Sequence, residues 1–303
     1  MSVTDKSAGN MYQELVGYLQ RLKGKIASHQ LPDIETAFRL VNSVIDQPAV
    51  HSKMAALAQR TGPADVDYMV VHQVNTMIVT LKMGAGLDYA EDRLLELGVA
   101  ALLHDAGMFV LPDEIVHKTS SLTPAEIEIM QDHSGAGRDL LMPFQQKYPW
   151  LPEVVYQHHE RGNGTGYPRA LRERDIHAYA QIISLIDGYE AMTHHRPNRR
   201  ALKQSYTARE LVAQSREAAF PAHLLKTFLK EITLYPEGSG VVLNNKMICE
   251  VVEINRHNPL RPNVRVLYNE KGKKVEQEKI IMLGENPIFF IVDTVDVDEV
   301  ASA

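Results

Sequence analysis

Up to about residue 234 the apolar residues of this chain recur at helical spacing, and after Tyr235-Pro236-Glu237-Gly238 the texture changes to short β-branched runs. That change sets a helical body apart from a small β-rich appendage. Residues 1 to about 60 place Tyr12, Leu15, Val16, Leu19 and Leu22, then Ile34, Phe38, Leu40, Val41 and Val44, on helical faces. This lead-in carries no glycine-rich phosphate loop and no receiver-domain pattern. From Asp65 to about Leu234 the helical pattern is punctuated by Gly84 and Gly86, by Leu111-Pro112-Asp113, by Thr123-Pro124-Ala125-Glu126 and by a glycine-rich loop after His159. Thr123 and Glu126 have capping-box spacing with Pro124 at the first helical position, so a helix is predicted from there to His133, with that histidine at its C-terminal end. Strands are predicted at Gly240 to Leu243, Ile248 to Ile254, Val264 to Leu267, Ile280 to Met282 and Ile288 to Val292, with a hairpin turn at Asn269-Glu270-Lys271-Gly272.

The chain has 303 residues, a formal net charge of −6 and an isoelectric point near 6.1. Such a balance argues against a DNA, RNA or membrane-surface binder, because phosphate backbones call for a large basic footprint. An anionic substrate must therefore be met by local cations or metals. The single cysteine, Cys249, excludes an internal disulfide and a thiolate metal cluster and fits a reducing compartment. No signal pattern and no run of apolar residues long enough for a membrane span is present, so a cytoplasmic, soluble protein is expected.

Adjacent imidazoles followed by a glycine-rich, charge-studded turn, His158-His159-Glu160-Arg161-Gly162-Asn163-Gly164-Thr165-Gly166-Tyr167-Pro168, make little sense as packing and read as a site. Upstream, an apolar helical run ends in His104-Asp105; downstream, Asp187 sits on an amphipathic helix. With His72 and His133 these make five histidines and two aspartates, a count that suits two metal ions. Neighbouring residues on a helix diverge by about 100°, so His104 and Asp105 reach one metal together only at a helix end, or if Asp105 bridges two ions. His72 lies on an apolar stripe with Val74, Ile78 and Leu81, and on its own would read as a core residue. The other motifs outweigh that reading.

The segments His72-Gln73-Val74-Asn75, Leu103-His104-Asp105-Ala106-Gly107, Lys118 with Leu122-Thr123, Met130-Gln131-Asp132-His133, His158-His159-Glu160-Arg161, Gly164-Thr165-Gly166-Tyr167-Pro168 and Asp187 with Arg196-Pro197 resemble the HD-GYP family of cyclic-dinucleotide phosphodiesterases. They follow the family's order from about Asp65 to Arg200. The resemblance implies a mainly α fold: an HD-superfamily helical bundle at 61–234, preceded by the helical region 1–60 and followed by a small β-rich extension at 235–303. It implies that His72, His104, Asp105 and Asp187 hold one metal ion and that Asp105, His133, His158 and His159 hold a second. The ions would be divalent first-row metals, iron or manganese, sharing a hydroxide that attacks phosphorus in line with the departing 3′ oxygen. His104 and Asp105 are then catalytic, and cyclic di-GMP would be opened to linear pGpG and cut onward to GMP. Arg196 and Arg199 match the family's basic pair and Lys118 a family lysine, all three candidate phosphate contacts. Tyr167 either plugs the loop or touches a base. Glu160 and Arg161 would pair behind the histidines and orient them, whereas His194 and His195 have no family counterpart and read as surface or orienting residues.

Four departures qualify this reading. Met108 stands where the family has lysine, which removes a phosphate-facing charge. Tyr68 replaces a glutamate that some members use for a third metal. Glu190 replaces a frequent aspartate, and would meet metal through water or accept a hydrogen bond from Arg196. Asn198 replaces an aromatic residue. Two other functions stay open: a cyclic-dinucleotide receptor with weak turnover, and an HD-superfamily hydrolase of another nucleotide. The N-terminal helices suit a homodimer contact, a signalling-protein partner or a cap on the catalytic core.

Overall fold

Asp67 caps the helix that runs through the middle of the helical body, accepting the Met69 amide at 3.0 Å, and Asp33 and Thr123 start two others in the same way. The structure, a computed structural model, describes residues 3–58, 66–197, 199–232, 235, 237–255, 258–277 and 279–295. Asn198 and the boundary residues Asp65, Leu234 and Pro236 lie outside the described residues. The helices are α1 (Val3–Ala27), α2 (Ile34–Ile45), α3 (Pro48–Leu57), α4 (Tyr68–Gly86), α5 (Glu91–Leu103), α6 (Asp113–Val116), α7 (Pro124–Gln131), α8 (His133–Leu141), α9 (Trp150–Gln157), α10 (Ala178–Thr193), α11 (Gln204–Arg216) and α12 (Ala222–Glu231). A 3₁₀ turn, Ala106–Phe109, follows α5. Five strands come last: β1 (Gly240–Leu243), β2 (Ile248–Glu253), β3 (Asn263–Tyr268), β4 (Ile280–Met282) and β5 (Ile291–Val295). The chain is thus mainly α with a small antiparallel sheet at its end.

Two compact units result, one of Met1–Ala201 with Gln214–Leu224 and the other of Leu202–Ala213 with Leu225–Ala303. In the first, α1, α3, α5 and α10 all pack against α4. Helix α4 is therefore buried on nearly every side, with Val70, Val74, Met77 and Ile78 fully covered. It also buries His72, Gln73, Asn75 and Thr76, and buried polar groups of this kind require partners.

The capping box at Thr123 and Glu126 forms as predicted, but the helix it starts ends at Gln131 and His133 opens α8 instead of closing α7. The capping motif reports only where a helix begins; the break at Asp132 follows from the packing of α8 on the 3₁₀ turn.

In the second unit the strand order is β4-β3-β2-β1-β5. Val241, Cys249, Val251, Val264, Val266 and Ile281 cover one face from solvent, and the thiol of Cys249 is free. The predicted turn is present: Asn269 Oδ1 accepts the amides of Lys271 and Lys273, and Gly272 has φ of +72°. The last strand begins at Ile291, three residues later than its β-branched run predicts, because Asn244 binds the Ile288 carbonyl and the Phe290 amide as a turn-like clamp. Arg209 donates to the carbonyls of Ile291 and Val292, and Lys203 pairs with Asp293 at 2.7 Å. These contacts place the first part of α11 in the sheet-bearing unit, which helical periodicity alone does not reveal. No helix among the described residues is long and apolar enough to cross a membrane.

Candidate metal centre

Helix ends and two helix interiors deliver the seven residues singled out above. His104 closes α5, Asp105 leads into the 3₁₀ turn, His133 opens α8, His158 closes α9 with His159 after it, and His72 and Asp187 lie within α4 and α10. The 3₁₀ turn lies hard against α8. A Cβ on Gly107 would fall 1.9 Å from the His133 carbonyl oxygen and 2.5 Å from the Gly137 amide nitrogen, so only glycine permits the approach.

The two oxygens of Asp105 face opposite ways. Oδ1 is 3.2 Å from His133 Nε2 and 3.3 Å from His158 Nε2, while Oδ2 is 3.5 Å from both His72 Nε2 and His104 Nε2. Asp187 also spans the centre, with Oδ1 3.1 Å from His72 Nε2 and Oδ2 3.5 Å from His159 Nδ1. Two groups that could hold a metal result: Asp105, His133, His158 and His159, and His72, His104 and Asp187.

Four of the five rings are aimed by their other nitrogen. His104, His133 and His158 direct Nδ1 at the carbonyls of Ala101, Met130 and Val155, three residues earlier, at 2.8, 2.6 and 2.6 Å. His72 Nδ1 meets Glu190 Oε2. Carbonyls and carboxylates only accept, so Nδ1 carries a proton in each of these rings and Nε2 is the atom left to face Asp105. His72 Nε2, His104 Nε2 and Asp105 Oδ1 are buried without a hydrogen-bond partner. With the rings neutral these converging atoms would repel one another, and a divalent cation is the group that such a donor set fits.

Burial pulls the His104 pKa down to about 4. Burial and the neighbouring His158 hold His159 well below the ordinary imidazole value. Burial opposes protonation of His72 and His133 too, but carboxylates outweigh it: Glu190, Asp105 and Asp187 hold His72 well above its usual value, and Asp105 raises His133. Burial likewise fails to raise Asp105 and Asp187, which the surrounding histidines keep well below the carboxylate range.

Around this centre several assignments change. Glu160 and Arg161 do not pair through their side chains. The Glu160 carboxylate accepts the amides of Arg169 at 2.7 Å and Leu171 at 2.8 Å, pinning the far side of the glycine-rich loop. Arg161 instead donates to Ser184 Oγ and lies 4.9 Å from the centre of the Phe220 ring. Backbone hydrogen bonding, invisible to charge pairing in a sequence, decides this. Gly166 is required by space, since its Cβ would meet Arg161 N at 2.3 Å and His159 O at 2.5 Å. The next residue, Tyr167, stacks on His159 at 4.6 Å between ring centres. Glu190 binds His72 and Asn75, with His194 Nδ1 3.2 Å from its Oε1, instead of accepting from Arg196.

Arg196 and Arg199 exchange two main-chain hydrogen bonds, and Arg199 also donates to the Ala191 carbonyl. Burial raises the pKa of the Tyr68 and Tyr167 hydroxyls, and the Arg196 charge opposes that rise at both. Lys118, expected to meet substrate, is paired with both oxygens of Glu126 at 2.7 and 2.6 Å. Met108 packs with Met69 and Val116, flanked by Tyr68 and Met130; Tyr68 donates to the Val116 carbonyl at 2.8 Å. The two departures at 68 and 108 therefore share one apolar cluster. His195 is exposed. Sequence reasoning missed Ser184, and it missed the part Asn75 plays, although an amide three residues after His72 in an apolar helical run was a usable signal.

An HD domain family model matches residues 48–223, and a model of the KOW domain associated with the HD domain matches residues 240–303. Several curated cyclic di-GMP phosphodiesterases are similar, among them one from Pseudomonas aeruginosa that is 29% identical over 220 residues, covering 72% of this chain and 52% of the relative. A 3′3′-cGAMP-specific phosphodiesterase of Vibrio cholerae is 38% identical over 104 residues, covering 34% of this chain and 24% of that protein. The chain thus spans about half the length, or less, of these relatives. In fold it is similar to an HDG"Y"P protein from Bdellovibrio bacteriovorus, with a TM-score of 0.53 at 18% identity, covering 75% of this chain and 69% of the other. Since the HD domain match takes in more than half of its residues, the chain belongs to the HD domain family.

Proposed function

We propose that this chain is a metal-dependent phosphodiesterase of cyclic dinucleotides, acting on cyclic di-GMP in the cytoplasm and holding two ions, iron or manganese, beside Asp105. The observation that carries the reading is the carboxylate of Asp105 with one oxygen toward His133 and His158 and the other toward His72 and His104. His72, His104 and Asp187 would complete the surroundings of one ion, and His133, His158 and His159 those of the other. Such ions supply a water of lowered proton affinity and neutralise charge on a phosphoryl oxygen.

The chain's own residues supply the rest. Because Nδ1 of His104, His133 and His158 is tied to the main chain, their Nε2 atoms keep one aim and need no reorganisation when ligands arrive. Tyr167 covers the outer face of His159 and excludes water there. Arg196 and Arg199 hold the substrate's phosphates; Lys118, already paired with Glu126, is not assigned to them. With the phosphate so held, water adds to phosphorus opposite the 3′ oxygen, the bond from phosphorus to that oxygen breaks, and the proton passes to it. The ring opens to pGpG, and a second cleavage yields GMP.

A second reading, a cyclic-dinucleotide receptor, draws on Met108, whose side chain sits in the apolar cluster and leaves no cation at that position. One experiment separates them: turnover of cyclic di-GMP by anaerobically purified protein, with metal content measured on the same sample. Hydrolysis that scales with two ions per chain supports the enzyme. Tight binding without hydrolysis at full metal loading makes the chain a receptor, and faster cleavage of linear dinucleotides or mononucleotides assigns it to another nucleotide.

A further inference from the structure

A buried chain of hydrogen bonds runs from the N-terminal helix to His72. The Tyr12 hydroxyl, on α1, donates to Asn75 Oδ1 at 2.9 Å; Asn75 Nδ2 donates to Glu190 Oε1 at 3.0 Å; and Glu190 Oε2 accepts from His72 Nδ1. All four side chains are buried. Chemistry sets the direction. A carboxylate only accepts, so Asn75 must turn its amide hydrogens to Glu190 and its oxygen to Tyr12, which leaves the hydroxyl as donor. Burial and the nearby Glu190 charge keep that hydroxyl protonated. The HD domain match begins at residue 48, so Tyr12 lies outside it.

We infer that Tyr12 and Asn75 are positioning residues of the metal centre, through which helix α1 holds Glu190 in the orientation that aims His72. The inference rests on the reading of His72 as a metal ligand. Glu190 has an alternative partner in His194, 3.2 Å from the same oxygen that Asn75 binds. With the Tyr12 hydroxyl gone, Asn75 Oδ1 is buried without its donor and the amide is held only at its Glu190 end. An amide free to swing about that one contact no longer fixes Glu190 Oε1, and the carboxylate can turn toward His194 and take the His72 ring with it. Main-chain anchors hold the rings of His133 and His158 and are untouched by such a change.

Tyr12→Phe removes one oxygen and keeps the ring. Chelator competition against manganese-loaded protein should show the ion at the His72 group released about 3- to 10-fold more readily, below the roughly 10- to 100-fold typical of losing a direct partner of a ligand. The ion at the His133 group should be unchanged. In a Glu190→Gln background the same Tyr12→Phe substitution should add nothing further, since coupled residues are non-additive. A lowered Tm with unchanged metal release, or an equal effect in both backgrounds, would reduce the Tyr12 to Asn75 bond to packing of α1 and overturn the inference. Asn75→Ala reports the same coupling if Tyr12→Phe does not fold. Wild-type protein that takes up no ion at the His72 group would sink the metal reading itself, an outcome visible before any variant is made.

Discussion

The two ends of the centre are built differently. At one end His133 and His158 are each held by a carbonyl three residues earlier in the chain, so the local backbone aims them as soon as its helix end forms. At the other end His104 is held in the same local way, but His72 depends on a carboxylate 118 residues away, itself held by Asn75 and, through it, by Tyr12. A locally anchored ring is insensitive to distant change; a ring anchored across the fold reports on every element that contributes. Asp105 joins the two ends.

The largest expected effect comes from removing that join. Asp105→Ala should take metal content from about two ions per chain to near none and abolish turnover, read by elemental analysis beside the assay; retention of both ions would show that the carboxylate is not shared. Next is Gly107→Ala, which forces a methyl group into the His133 carbonyl. Overpacking of this kind destabilises by about 1–3 kcal/mol, visible as a lower urea midpoint, with the ion at the His133 end lost first. His72→Ala should then lose about one ion per chain and keep the other. A change in Tm alone would return His72 to the core role its apolar stripe implies.

The titrations of the metal-free protein differ in sign and sharpen the contrast. His104 titrates near 4 in the fold, below an unfolded value of about 6.5, so the unfolded chain binds more protons between those values and stability should rise with pH across that window. His159 acts in the same direction. His72 and His133 are raised in the fold. Their stabilisation is complete below about pH 6.5 and lost as pH climbs through their folded values. Tm measured against pH should therefore peak near neutrality without metal and lose its alkaline decline when metal, which takes the neutral imidazoles, is bound. A monotonic profile would contradict the carboxylate cage around His72.

The smallest effects concern the cations. Arg196→Ala should raise KM for cyclic di-GMP about 10- to 100-fold, the range for a hydrogen bond to a charged group. Lys118→Ala should leave KM alone and lower stability by less than about 1 kcal/mol, since its pair with Glu126 is partly exposed. A KM effect at Lys118 would mean that substrate draws it away from Glu126.

Much of this was legible in the residues. The helical period up to the β-branched runs marked the fold class, because burying one face of a helix imposes spacing on the sequence. Thr123 with Glu126 marked a helix start and Asn269 to Gly272 a turn, because both motifs are closed by atoms a few residues apart. His104-Asp105, His158-His159 and Asp187, with His72 and His133, marked the centre, because seven polar residues of two chemical kinds are hard to explain by packing. Tertiary structure alone decided that His133 opens a helix, that Glu160 binds amides instead of Arg161, that Lys118 is already paired, and that Tyr12 reaches the centre at all. Each of these depends on which distant atom arrives within about 3 Å, the reach of a hydrogen bond, and a one-dimensional pattern records the groups available for such contacts but not which of them meet.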